Sequence, residues 1–109
     1  MTRQDMMAKL GLMPADFGIK DTQTILTATV QAYLDAECQK LGYDNGFACA
    51  SYATSTVPKF RAEAQAYIAW RDAVWSYCYA QLDLYNAGKR DIPTDIISEL
   101  PPLDWEAEQ

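Results

Sequence analysis

Three cysteines carry the broadest chemistry in this sequence, because a thiolate can act as a nucleophile, a redox centre or a metal ligand. They are Cys38, Cys49 and Cys78, an odd number with no CxxC spacing. The chain has no histidine, which is the usual partner of a cysteine nucleophile and a frequent zinc ligand. The pattern therefore favours three reduced, partly buried thiols that pack as small apolar groups over a disulfide framework or a metal site.

Other catalytic arrangements are equally hard to find. The sequence contains no glycine-rich phosphate loop, no GxSxG motif and no carboxylate cluster with metal-ligand spacing. A pair of catalytic carboxylates of the glycosidase kind stays an open alternative, because such a pair is defined by a distance in the folded protein and not by a spacing in the sequence. Most Asp and Glu residues nevertheless fall at predicted helix caps, on polar helix faces or near the C-terminus, where solvated charge explains them. We expect no enzymatic activity, no cofactor and no bound metal.

The charge balance limits the partners that the chain can have. Its net charge is −6, and its nine basic residues are scattered singly apart from the pair Lys89-Arg90. Nucleic-acid binding needs a basic stripe, and anionic membranes attract basic segments, so neither partner is expected. The longest apolar run, 66–70, is far shorter than the roughly 20 residues of a membrane span. The first residues resemble no signal peptide, which predicts synthesis in a cytoplasm.

The spacing of apolar residues predicts a small all-α domain. With 109 residues, half of them apolar, the chain has the size of one domain with a modest core. We divide it into a lead or docking segment (1–21), a helical domain (22–105) and an acidic tail end (106–109). The predicted helices cover 22–41, ended by Gly42; 47–53, capped by Asp44 or Asn45; 58–87, ended by Gly88; and 95–100, capped by Thr94. A further short helix is expected over 2–10, followed by a loop that begins at Met13-Pro14.

The helix predicted over 58–87 has apolar residues on two nearly opposite sides. The first stripe is formed by Phe60, Ala64, Tyr67, Ile68, Val74, Trp75, Cys78, Leu82 and Tyr85. The second stripe is formed by Ala66, Trp70, Ala73, Tyr77, Ala80 and Leu84. The other predicted helices are short, so either they cover both stripes or one stripe faces another chain. Because Trp and Tyr are enriched at interfaces, we assign Trp70, Ala73, Tyr77, Ala80 and Leu84 to a protein–protein contact.

Arg71 lies within the first stripe and not on the polar face of this helix. A buried guanidinium without a partner is very costly, so we expect a structural ion pair. Asp44 in the preceding turn is the partner that we assign, with Asp35 and the acidic tail as open alternatives. The side chain could also reach solvent along its aliphatic stem.

Residues 29–105 resemble a group of small helical proteins encoded in the tail-gene regions of bacteriophages and prophages, described as tail fibre or tail assembly proteins. The matching residues include Val30–Ala36, Gly42–Asn45, Ala50–Ala53, Phe60–Tyr67, Ala69–Trp75, Ala87–Arg90, Pro93-Thr94 and Ser98–Pro101. The run Trp-Arg-Asp-Ala-Val-Trp with its flanking spacing is the most specific part. Residues 1–21 do not carry the match.

The resemblance implies a non-enzymatic role associated with the phage tail. We expect synthesis in the host bacterial cytoplasm and a location in the tail of the virion. A structural subunit attached to the tail fibre, tip or baseplate is our first expectation, and a tail fibre assembly chaperone is the second. A third alternative, from another class, is an acidic phage-encoded inhibitor of a host protein. The expected partners are other tail proteins, with self-association as an open alternative.

Overall fold

The computed structural model describes the backbone of residues 14–105 and the side chains of residues 22–105. Four helices follow one another: α1 (Pro14–Gln39), α2 (Gly46–Ala50), α3 (Pro58–Asn86) and α4 (Ile96–Glu99). The described chain contains no β-strand. The protein is therefore all-α, and the predicted arrangement of one long helix packed by a second long helix and short helices is confirmed.

Helix α3 agrees closely with its prediction over 58–87. It begins at Pro58, whose fixed φ suits the first turn of a helix. It ends at Asn86, and Gly88 then takes a left-handed φ of 73°. At 1.5 Å per residue, the helix is about 43 Å long. The chain is elongated as a result: its extents are 56 × 34 × 19 Å and its radius of gyration is 17.4 Å, against about 13 Å for a compact domain of 100 residues.

Helix α1 begins eight residues earlier than predicted, at Pro14 rather than at 22. The loop predicted from Met13-Pro14 is therefore wrong, because proline is tolerated in the first turn of a helix and here starts one. Helix α1 ends at Gln39, and Gly42 turns the chain with a φ of 98°. The short helix predicted over 2–10 and the tail end 106–109 lie outside the described residues.

Helix α2 is short and is fixed by polar contacts at its start. The side chain of Asn45 caps it by accepting a hydrogen bond from the Ala48 N–H at 2.8 Å, as predicted for Asp44 or Asn45. The Gly46 N–H donates to Asp35 Oδ1 on α1 at 2.8 Å. A Cβ atom at Gly46 would overlap the hydroxyl group of Tyr67, so only glycine fits where α2 meets α3.

Helix α4 is capped one residue later than predicted. The Asp95 side chain, not Thr94, accepts a hydrogen bond from the Ser98 N–H at 3.4 Å. Both residues are good caps, and only the position at which the helix starts decides between them. Ile96, at the start of α4, is buried.

The core lies where α1, α2 and α4 meet the first half of α3. Its buried members are Val30, Leu34 and Cys38 of α1, Cys49 of α2, Tyr67, Trp70 and Val74 of α3, and Ile96 of α4. Tyr33 of α1 packs edge-on against Trp70, with ring centroids 5.6 Å apart. The one buried charged residue among the described side chains, Glu63, accepts a hydrogen bond from the Tyr43 hydroxyl at 2.8 Å. Within the described chain, no helix is long and apolar enough to cross a membrane.

Candidate functional site

Helix α3 has two halves with different surroundings. Its buried residues are Glu63, Ala64, Ala66, Tyr67, Trp70 and Val74, all within the first 17 positions. From Trp75 to Asn86, every residue is half-buried or exposed. We call Pro58–Val74 the covered half and Trp75–Asn86 the open half. The open half is the part of the long helix that the rest of the described chain leaves accessible.

An apolar groove of about 170 Å³ runs along the open half. Helix α1 forms one wall, α3 forms the floor and second wall, and the segment between α3 and α4 forms the third wall. The lining residues are Thr22, Gln23, Leu26, Thr27, Val30, Trp75, Cys78, Tyr79, Gln81, Leu82, Tyr85, Ile92, Pro93 and Ile96.

The lining of the groove contains no charged side chain, although 22% of the chain is charged. Its polar members are hydroxyl and amide groups, which can bond a partner without the desolvation cost of an ion. Tyr79 is 66% exposed at its edge, and Ile92 is 39% exposed. Large aromatic side chains that stay accessible beside an apolar groove are typical of a surface for protein contact.

The second stripe, to which the sequence assigned the interface, is split between the two halves. Trp70 is 4% exposed and belongs to the core. Its indole Nε1 donates to the Pro101 carbonyl oxygen at 2.8 Å, which ties the C-terminal segment to α3. The assignment of Trp70 to an interface is therefore wrong: the chain's own C-terminal segment supplies the cover and the hydrogen-bond acceptor that a buried tryptophan needs.

Tyr77 is half-buried and also faces the protein's own C-terminal segment. Its hydroxyl donates to Glu99 Oε1 at 2.8 Å. Arg90 holds the same carboxylate with two guanidinium nitrogens, at 2.9 and 3.1 Å, and donates to Gln81 Oε1 at 2.6 Å. The hydroxyl of Tyr77 serves an internal network, and the assignment of its half-buried ring to an interface with another chain stays a prediction.

The remaining members of the second stripe are accessible. Ala73 and Ala80 are exposed, and Leu84 is 38% exposed. Their assignment to a protein contact stays a prediction.

Side-chain hydrogen bonds shift the pKa values of the groups in the internal network. The Arg90 guanidinium, followed by the Tyr77 hydroxyl, holds the pKa of the Glu99 carboxyl below its usual value. The same carboxylate raises the pKa of Arg90 and of Tyr77. Burial, and then the charge of Glu99, raises the pKa of the Cys78 thiol in the groove. The charge of Glu99 therefore acts both within the internal network and on Cys78 in the groove.

Arg71 does not pair with Asp44. Its Nε and a terminal nitrogen both lie 3.0 Å from Asp72 Oδ1, on the adjacent residue of α3. Its side chain is 37% exposed, so the guanidinium reaches solvent and needs no carboxylate from the preceding turn. The predicted Arg71–Asp44 ion pair is therefore wrong. Asp35, an alternative partner, instead accepts hydrogen bonds from Gly46 and Gln31.

The three cysteines are free thiols with different surroundings. Cys38 and Cys49 are wholly buried in the core, whereas Cys78 is half-buried in the groove. A hydrogen bond with Cys49, and then burial, raises the pKa of Cys38, which keeps this thiol protonated. Among the described residues, no group of His, Cys, Asp and Glu side chains is arranged to hold a metal ion.

Sequence reasoning missed the residues that form the groove. Trp75, Cys78, Leu82 and Tyr85 belong to the first stripe, which was expected to be the covered one. The signal was present in the lengths of the elements: helices as short as α2 and α4 cannot cover a stripe that continues to Tyr85.

Comparison of the chain with protein-family models, with curated protein sequences and with solved structures finds no match in any of the three.

Proposed function

We propose that this protein is a non-enzymatic subunit of a bacteriophage tail, which attaches to the fibre, tip or baseplate through the open half of α3. The proposal joins two independent supports. One is the resemblance of residues 29–105 to phage tail-associated proteins. The other is the uncharged groove along a long helix whose second half the described chain leaves accessible.

The groove is the observation on which the proposed mode of attachment rests. A helix with apolar residues on most of its circumference is stable when several sides are covered. Here α1, α2 and the C-terminal segment cover the first half, whereas in the second half Tyr79 is exposed and Leu82 and Tyr85 are half-buried. A tail protein that packed against this groove would complete the burial of α3, as helices do in a larger bundle.

Mass spectrometry of purified particles of the phage or prophage that encodes the chain tests the proposal. A structural subunit is present at a fixed stoichiometry relative to the tail proteins. Absence from particles, together with immature fibres when the gene is deleted, would support an assembly chaperone instead. Normal particles after deletion would contradict both tail functions and leave the inhibitor of a host protein.

Two exposed aromatic residues supply a matched pair of variants for the same assay. Tyr79 lies at the groove and is 66% exposed, whereas Phe47 lies on α2, outside the groove, and is 87% exposed. We expect Tyr79→Glu to reduce incorporation at least about tenfold, the effect of losing an interface anchor of about 1.4 kcal/mol or more. Phe47→Glu should leave incorporation unchanged. Loss of incorporation with Phe47→Glu alone would move the docking surface to α2.

A further inference from the structure

The third wall of the groove is the segment from Ala87 to Asp95, which we call the connector. The backbone hydrogen bonds that continue α3 end at Lys89, whose N–H donates to the Leu84 carbonyl at 2.8 Å. Just before it, Gly88 has a φ of 73°, and nothing lies within 4 Å of the position that a Cβ atom would take. Ile92 and Pro93 of the connector line the groove, and Ile96 fixes its far end in the core.

Between these two ends, one side chain ties the connector to α3. Arg90 donates to Gln81 on the open half and holds the Glu99 carboxylate with two nitrogens. Glu99 in turn accepts a hydrogen bond from Tyr77 of α3. The side chains of Arg90 and Glu99 are 23% and 27% exposed, so water and ions can reach the pair.

We propose that the Arg90–Glu99 ion pair is a latch that holds the connector against α3 and thereby sets how far the groove is open. Breaking the pair frees the connector between Gly88 and Ile96, and the wall that carries Ile92 and Pro93 moves away from α3. The role of the latch in docking rests on the proposed function, while the movement itself is a property of the isolated chain.

Cys78 reports the opening of the groove. It lines the groove, whereas Cys38 and Cys49 are wholly buried in the core and report global unfolding. Alkylation by iodoacetamide, followed by mass spectrometry of each cysteine peptide, measures the three rates separately. Measuring each rate over a series of pH values separates two quantities. The limiting rate, reached when the thiol is fully ionised, depends on its accessibility, and the pH at which the rate rises depends on its pKa.

Arg90→Gln is the decisive variant, because its effect on the charge near Cys78 slows alkylation, whereas opening of the groove speeds it up. It leaves the Glu99 charge unpaired beside Cys78, which by charge alone slows alkylation by raising the pKa of the thiol. If the latch opens the groove, alkylation of Cys78 should instead become about threefold to tenfold faster at the limiting rate, as expected when loss of charge-assisted hydrogen bonds eases a local opening. Cys38 and Cys49 should keep their slow rates.

Glu99→Gln is a second variant that keeps the size of the side chain and removes its charge; it should raise the limiting rate of Cys78 in the same way. Lys40→Gln is the matched control: it breaks the 3.0 Å Lys40–Glu37 ion pair, which does not line the groove, and should leave the limiting rate of Cys78 unchanged.

An unchanged limiting rate of Cys78 in both latch variants would overturn the proposal. So would an equal acceleration of all three cysteines, since that is the result of global destabilisation. Because labelling uses the isolated protein, its failure leaves the docking surface standing, and a failure of Tyr79→Glu to reduce incorporation leaves the latch standing.

Discussion

From Pro58 to Val74, helix α3 packs against α1, α2 and the C-terminal segment, and its larger apolar residues meet partners from the same chain. Tyr67 packs edge-on against Trp70, and the indole N–H of Trp70 donates a hydrogen bond to the Pro101 carbonyl oxygen. From Trp75 to Asn86 the same helix carries residues of the same kinds and none of them is buried. Within the described chain, α2 has five residues and α4 has four, so these two helices reach along only part of α3.

This contrast shows how a structural residue differs from a candidate binding residue in this protein. Both halves have apolar and aromatic residues at helical spacing, so composition does not separate them. In the covered half, Trp70 is buried and its indole N–H is bonded to the Pro101 carbonyl oxygen. The groove in the open half is lined by neutral side chains and leaves Tyr79 projecting at its edge.

Truncation of one aromatic residue in each half gives the largest difference in stability. We expect Trp70→Ala to lower the free energy of unfolding by about 3–5 kcal/mol, because it leaves a cavity in the core. Tyr79→Ala should change it by about 0.5 kcal/mol or less, since the side chain is mostly in solvent. Urea denaturation followed by circular dichroism measures both. Similar losses for the two variants would abolish the distinction between the halves.

Gly46→Ala tests the tightest contact of the covered half. The added methyl group meets the Tyr67 hydroxyl, so we expect a loss of about 1–3 kcal/mol, the usual range for overpacking a core. In a Tyr67→Phe background the hydroxyl is absent and part of this loss should be recovered. The comparison needs four denaturation curves: the parent, each single variant and the double variant. An equal cost of Gly46→Ala in both backgrounds would place its cause elsewhere.

Alkaline pH should weaken the covered half through Tyr67. Burial raises the pKa of this phenol from its usual 10.0 to about 12. The unfolded chain releases the proton first, so the stabilisation is complete below pH 10 and is lost as the pH rises from 10 through 12. We expect the free energy of unfolding to fall over this window, and to fall less steeply in Tyr67→Phe.

Much of the secondary structure follows from the sequence. The period of the apolar residues, Pro58 and Gly88 predict α3 to within one residue at either end, because proline starts helices and glycine accepts the left-handed conformation after them. Asp44 or Asn45 was predicted to cap α2 because short polar side chains accept hydrogen bonds from the first N–H groups of a helix, and Asn45 is the cap. Errors occurred where two neighbouring residues offer equivalent caps, as at Thr94 and Asp95, and at Pro14, which begins a helix where a loop was expected.

The sequence by itself determined that the chain is all-α, that one long helix dominates it and that this helix is apolar on two sides. These properties depend on residues close together along the chain. Which side stays accessible depended on the tertiary structure, because the C-terminal segment approaches Trp70 and Tyr77 from residues 22 to 31 positions away. That approach buries part of the second stripe and leaves the groove along the first, an outcome that helical spacing alone does not encode.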